Sequence, residues 1–371
     1  MILVLLVCML LAGCGGASRL PFGTAVDPGS GTQFRFRLAG EAVPRLDDRL
    51  SAGGGPSLAW PSPAVLAGSD GGRRWRRSLS APTGFWGLDF LDAERGWAVG
   101  VTALYRTRDG GRVWQRVAEP GGGPRRALVR VAFTGARDGF GLTAAGRLVQ
   151  TVDGGASWHA AGWAGRGGAL CVLGRDALVV ADQRGAIWLR GEGGHRWRQV
   201  APAIGAVSGY AGWWVDLSCQ GSGGVALAQA HCMAACGGGV VSHVRETTDA
   251  GVRWRQIARP VYGPARESAP VLARVAAVGE RGACLVFEPT FGTDVVVRCT
   301  GDGGRSFSRA SLPVLPGRRY ADVFVEGVSF VGAASGRLVV AGASAGARPR
   351  TEVWSTGGGV ASWTLRSVGD Q

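Results

Sequence analysis

A short glycine-rich turn that opens on Asp or a stand-in and closes on an aromatic residue recurs seven times along this chain. No other feature restricts the fold as strongly. Three copies, at 107–114, 151–158 and 247–254, read S/T-x-D-x-G-x-x-W, with Asp109 and Trp114, Asp153 and Trp158, and Asp249 and Trp254 as the acid and its aromatic. Looser copies centre on Asp70 with Trp75, Glu192 with Trp197 and Asp302 with Phe307; a seventh, at Gly357, lacks the acid and closes one residue late on Trp363. In such a turn the carboxylate accepts hydrogen bonds from backbone N–H groups of its own hairpin, the glycines supply positive φ, and the aromatic ring covers the sheet. No copy carries more than a single acid, and none has a second ligand at fixed spacing, so the turns are read as structural, not as catalytic or calcium sites.

The same order of elements surrounds each turn. Around Asp153 the alternating segments 129–133, 139–143, 147–151 and 158–160 read as four short antiparallel strands, and 87–90, 96–100, 103–107 and 114–117 repeat them around Asp109. The turns recur every roughly 40–55 residues, the length of a four-stranded propeller blade. The reading is therefore an all-β protein, a seven-bladed β-propeller over residues 32–371 with the Asp turns between the third and fourth strands of each blade. Composition agrees: 46% hydrophobic with 18% charged is globular, and 64 Gly with 14 Trp fit many tight turns between aromatic-anchored strands. The wider spacing of the later turns is assigned partly to longer loops at 231–239, 289–293 and 342–350 on the face away from the Asp turns.

Residues 1–13 are apolar and close on Leu11-Ala12-Gly13-Cys14, similar to a bacterial lipobox, which predicts a cleaved signal, a lipid on Cys14 and a flexible tether over 14–31. No Lys or Arg precedes the apolar run, which leaves a start upstream of Met1 or a buried apolar N-terminus as alternatives. The expected location is outside the cytoplasm, anchored by lipid to the bacterial membrane. In that oxidising setting the six remaining cysteines are expected to pair. Cys284 and Cys299 stand opposite each other across a strand pair, Cys232 and Cys236 close one loop, and Cys171 and Cys219 follow by elimination. His231, Cys232, Cys236 and His243 lack the tight spacing of structural zinc sites, so no metal and no cofactor is expected.

Residues 90–100, followed by Leu104-Tyr105-Arg106-Thr107 and Asp109-Gly110-Gly111, resemble the repeat of the Asp-box (BNR) propellers, most closely the photosystem II stability and assembly factor family. The resemblance spans about residues 55–371. It implies a non-enzymatic scaffold that binds membrane-protein subunits through a basic surface during assembly. All 41 basic residues are Arg and the net charge is +14, so the expected partner is an acidic protein or an envelope polymer. The candidate binding residues lie in loops on the face away from the Asp turns: Arg125, Arg126, Arg266, Arg318, Arg319, Tyr320, Arg348 and Arg350. A solvated basic rim is the competing reading of the same residues. A second set, Arg76, Arg77, Arg116, Arg198, Arg255 and Arg309, follows the turn aromatics and is read as guarding outermost strands. Nucleic acid does not fit an exported protein, and the chain is read as a monomer. The alternative is a sialidase-like or other glycoside hydrolase. Its nearest start motif, Phe34-Arg35-Phe36-Arg37, departs from the sialidase pattern at two positions, and a pair of glycosidase carboxylates leaves no sequence spacing by which to recognise it.

Overall fold

The computed structural model describes residues 25–26, 33–37, 62–68 and 75–370, apart from 93, 101, 118–126, 175–176, 192–193, 195, 205–209, 233–239, 259–270, 290–293, 315–320, 332–334, 345–349 and 358–361. Among the described residues there are 27 strands and no helix, in six antiparallel sheets. The first sheet runs in sequence order through β1 (Ala25–Val26), β2 (Gln33–Arg37), β3 (Ser62–Gly68), β4 (Trp75–Phe90), β5 (Gly96–Gly100), β6 (Leu104–Thr107) and β7 (Gln115–Val117). Five four-stranded sheets follow. The second holds β8 (Leu128–Phe133), β9 (Gly139–Thr143), β10 (Leu148–Thr151) and β11 (His159–Ala160), and the third β12 (Gly167–Leu173), β13 (Ala177–Asp182), β14 (Ile187–Arg190) and β15 (Trp197–Ala201). The fourth holds β16 (Tyr210–Gln220), β17 (Gly223–Cys232), β18 (Val240–Thr247) and β19 (Arg255–Ala258). The fifth is β20 (Val271–Val278), β21 (Gly282–Glu288), β22 (Asp294–Thr300) and β23 (Ser308–Pro313), and the sixth β24 (Ala321–Val331), β25 (Ser335–Ser344), β26 (Arg350–Thr356) and β27 (Thr364–Asp370).

The all-β propeller is as expected, with the Asp turns joining third and fourth strands. The blade count is corrected: the described residues form six sheets where the sequence predicts seven blades. The cause is β4, which runs 16 residues without a break, pairing with β3 up to Phe85 and with β5 from Phe85 onward. One strand therefore serves two units that the sequence divides. The wider turn spacing is also corrected in part, because β16 and β17, at 11 and 10 residues, put much of the added length into strand rather than loop.

The innermost strands of successive units pack side by side, β4 on β8, β8 on β12, β12 on β16, β16 on β20 and β20 on β24, while β1 touches both β24 and β4. They surround a central axis. Alternation along each strand sends apolar side chains into the seams between neighbouring sheets. The seam between the third and fourth sheets buries Leu173, Val179, Ile187 and Ala228; that between the fifth and sixth buries Val286, Val297, Leu338 and Val340. Each such side chain contributes about 1.5–3 kcal/mol relative to exposure, so the seams hold the ring together.

Two further devices tie sheet to sheet. Trp97 on β5 stacks on Phe133 of β8 with centroids 3.5 Å apart and its Nε1 donates to the Gly154 carbonyl at 3.2 Å. Side chains of one sheet also accept from backbone N–H groups of the next: Asp89 from Phe133 at 2.8 Å, Ser218 from Ala277 at 2.9 Å, Gln220 from Gly279 at 2.5 Å and Glu288 from Val325 at 2.6 Å. These satisfy donors on the free edges of the innermost strands, which would otherwise stay unpaired.

Both disulfides that fall on described residues are present. Cys284 and Cys299 are direct cross-strand partners on β21 and β22, and Cys171–Cys219 links β12 to β16 across a seam. Cys236 of the predicted pair Cys232–Cys236 lies outside the described residues, as do Cys14 and the predicted signal. The predicted flexible tether over 14–31 is corrected at Ala25–Val26, which form β1 and pair with β2.

Candidate functional site

The Asp turns were the first place to look for chemistry, and their geometry uses up their carboxylates locally. In the turn after β10, Asp153 Oδ1 accepts from the Ser157 backbone N–H at 2.9 Å and the Thr151 hydroxyl at 2.7 Å, while Oδ2 accepts from the Ser157 hydroxyl at 2.5 Å. The other described turns repeat this: Asp109 accepts from Thr107, Arg112 and Val113, Asp249 from Thr247 and Arg253, and Asp302 from Thr300, Arg305 and Ser306. The Ser157 and Ser306 hydroxyls and N–H groups hold the carboxyls of Asp153 and Asp302 well below the usual carboxylate range. An acid held ionised by its own hairpin is a fastener, neither a general acid nor an open metal ligand.

The role of the leading threonine is not visible in the repeat pattern. Thr107, Thr151, Thr247 and Thr300 are buried, and each hydroxyl donates to its Asp while accepting from a turn glycine N–H: Gly111, Gly155, Gly251 and Gly304. The closing aromatics also follow the expectation. Trp158 and Trp254 donate Nε1 to the carbonyls of Gly155 and Gly251 in their own turns, at 3.0 and 3.1 Å. Trp114 instead donates to Ser78 on β4, whose hydroxyl donates in turn to the Gly111 carbonyl. Trp197 packs against Trp163, Phe307 against the seam of the fourth and fifth sheets, and Trp363 edge-on to Phe330. Asp70, Glu192 and the Trp75 side chain lie outside the described residues.

The predicted partner-binding residues do not come into view. Arg125, Arg126, Arg266, Arg318, Arg319, Tyr320 and Arg348 lie outside the described residues; Arg350 is placed only by its backbone, paired with Gly342 and Asp370. Of the second arginine set, Arg116, Arg198, Arg255 and Arg309 are exposed on the last strands of their sheets, and Arg77 is exposed on β4, inside the seven-stranded sheet. Arg255 reaches back to the buried Glu246 at 3.1 Å, and burial raises the Glu246 pKa against that attraction.

What sequence reasoning did not find is at the centre of the ring. A cavity of about 570 Å³ opens between the innermost strands, lined by residues of β4, β8, β12, β16, β20 and β24. Four titratable side chains face it from four sheets: Asp89, Arg130, Asp216 and Arg274. Arg130 and Asp216 approach to 3.8 Å, and Arg274 donates Nη1 to the Ala273 carbonyl at 3.0 Å. Burial pushes Asp89 up to about 7, against the hydrogen bond from Phe133. Burial pulls Arg130 down to about 10, helped by the Arg274 charge and opposed by Asp216. Among the described residues no cluster of three or more His, Cys, Asp or Glu could hold a metal ion.

With this geometry in hand, the comparisons with known proteins can be placed. Residues 72–227 match the profile of the family described as photosynthesis system II assembly factor YCF48. This chain is a BNR-type propeller resembling that family. No match was found among curated proteins. Among solved structures, YCF48 from Cyanidioschyzon merolae aligns with a TM-score of 0.53 at 16% identity, covering 87% of this chain and 93% of that one. A structure described as YCF48 bound to D1 peptide aligns with a TM-score of 0.49 at 18% identity, covering 75% and 80%. An ancestral GH74 enzyme aligns with a TM-score of 0.46 at 13% identity, covering 76% of this chain and 37% of that one. At 16% identity the likeness to the Cyanidioschyzon merolae structure speaks for the fold alone. The profile match runs from β4 of the first sheet through the second and third sheets to β17 of the fourth.

Proposed function

We propose that this chain is a non-enzymatic, exported lipoprotein whose propeller binds an acidic protein partner during assembly or stabilisation of a membrane complex. The observation that carries the reading is the assembly-factor profile match over residues 72–227. Two features support it. Every described Asp-box carboxylate is engaged by its own hairpin, which leaves the repeat without a reactive acid. The surplus of positive charge is all guanidinium, which binds carboxylates in a bidentate manner and stacks on aromatic rings.

In this reading the loops opposite the Asp turns contact the partner through Arg125, Arg126, Arg318 and Arg319, and lipid on Cys14 holds the propeller at the membrane. Changing those four arginines to Glu is expected to abolish capture of the partner from solubilised membranes while the circular dichroism spectrum stays that of the parent. Undiminished capture sinks the basic-face reading. Cys14→Ser is expected to remove incorporation of labelled fatty acid and to release the protein from the membrane fraction; continued labelling refutes the anchor. An acidic envelope polymer in place of a protein would leave capture intact after protease treatment of the membrane extract and inactivation of the protease.

A further inference from the structure

The geometry points to the central cavity as a binding site for a small oxyanion, seated on the guanidinium of Arg130. This guanidinium is the least satisfied buried group in the ring. Its side chain is 12% exposed, and neither Nε nor Nη2 has a hydrogen-bond partner. Asp216 does not fill the gap: its nearest oxygen is 3.8 Å from Nη2, outside hydrogen-bond reach, and that oxygen already accepts from the Leu217 N–H at 3.1 Å. Buried donors on an ion without an acceptor are costly, and one acceptor-rich anion would relieve both at once.

The shape of the unfilled edge selects the ligand class. Nε and Nη2 form one side of the planar guanidinium, where two parallel N–H groups match two oxygens of a carboxylate, sulfate or phosphate. Arg274, facing the same cavity from β20, adds a like charge that repels Arg130 and would attract the anion. Two cations thus face one close carboxylate. The fourth group, Asp89, is partly protonated near neutrality and does not restore the balance. A cation has no reason to enter such a cavity. Its volume of about 570 Å³ is that of a small-molecule site and admits an anion with its waters.

This inference does not depend on the partner-binding reading, and its test separates the two. Sulfate is the probe, because its charge does not change near neutral pH. Titration of the full-length protein with sodium sulfate, followed by calorimetry at constant ionic strength with chloride as the balancing anion, is expected to give one saturable site. Arg130→Met is expected to weaken it by about tenfold or more, the loss of a charge-assisted bidentate contact. Arg125→Glu with Arg126→Glu should leave it unchanged, since those residues belong to the proposed outer face.

In the parent protein, binding should weaken as pH rises through about 7, where Asp89, which lines the same cavity, ionises. That readout stands even if Arg130→Met fails to fold, and Arg274→Met gives a second variant expected to bind more weakly. The inference is overturned by absence of a saturable isotherm in the parent, by an unchanged affinity in folded Arg130→Met, or by loss in the Arg125/Arg126 variant instead. Failure of sulfate binding with intact partner capture would remove this site and leave the proposed function standing.

Discussion

Changing Ala250 to Gly should stabilise the protein, although it removes a methyl group and adds no contact. The position after the turn acid adopts positive φ in every described Asp box: 68° at Gly110, 76° at Gly154, 73° at Gly303 and 53° at Ala250. Among the described residues Ala250 is the one non-glycine with positive φ. A residue with a Cβ costs about 1–2 kcal/mol in this region. Glycine returns about 0.4–1 kcal/mol of that through its freer unfolded chain. The net expectation for Ala250→Gly is a gain between zero and about 1.6 kcal/mol, centred near about 0.8 kcal/mol, since the Ala250 N–H keeps its bond to the Ser222 carbonyl at 3.0 Å. Thermal melting should rise by about 1–4 °C. The reciprocal change, Gly154→Ala, places a Cβ 2.6 Å from Arg106 Nη1 and 3.0 Å from the Ala136 carbonyl oxygen. It should cost at least about 1–2 kcal/mol. A lowered midpoint for Ala250→Gly, or no loss for Gly154→Ala, would refute the assignment of strain to this turn position.

Three other outcomes are open to measurement. Replacing Cys171 and Cys219 by Ser frees a loop closed at a sequence separation of 48 and should cost about 4 kcal/mol in the chain-entropy account, read as a shift in the urea midpoint. Thr151→Val keeps the shape but strands the Gly155 N–H and removes a donor from Asp153, so a loss of about 1–3 kcal/mol is expected, against little change for a threonine exposed on the surface. Asp89 has a folded pKa of about 7, above its unfolded value, so the folded state holds the extra proton between the two and wild-type stability falls as pH rises across that window. Asp89→Asn cannot ionise and can still accept from Phe133; its advantage in urea midpoint should be greater at pH 8 than at pH 5. An advantage that does not grow with pH would show that Asp89 does not titrate as its burial implies.

The parts of the fold that local chemistry fixes were readable in the sequence. Strands β5 and β9 coincide with the segments 96–100 and 139–143, because each is a short, wholly buried run bounded by turn residues. The Asp turns were readable for the same reason: acid, glycines and aromatic ring all act within eight residues. The continuity of β4 was not, since Pro82, Gly84 and Gly87 look like punctuation and only pairing to β3 and β5 overrides them. The cavity was hidden more thoroughly. Asp89, Arg130, Asp216 and Arg274 are far apart in the chain, and a polar residue facing the axis follows the same two-residue alternation as one facing solvent. Ring closure alone turns four unrelated positions into neighbours.

The side-chain bonds that cross between sheets have a direction. In all four of those to backbone N–H groups, the acceptor belongs to the earlier sheet and the donor to the later one: Asp89 to Phe133, Ser218 to Ala277, Gln220 to Gly279 and Glu288 to Val325. A chain emerging from its N-terminus therefore meets, at each of these steps, an acceptor already in place for the strand that follows. Such an order favours vectorial growth, with each new sheet registered by the one before it and the ring sealed last.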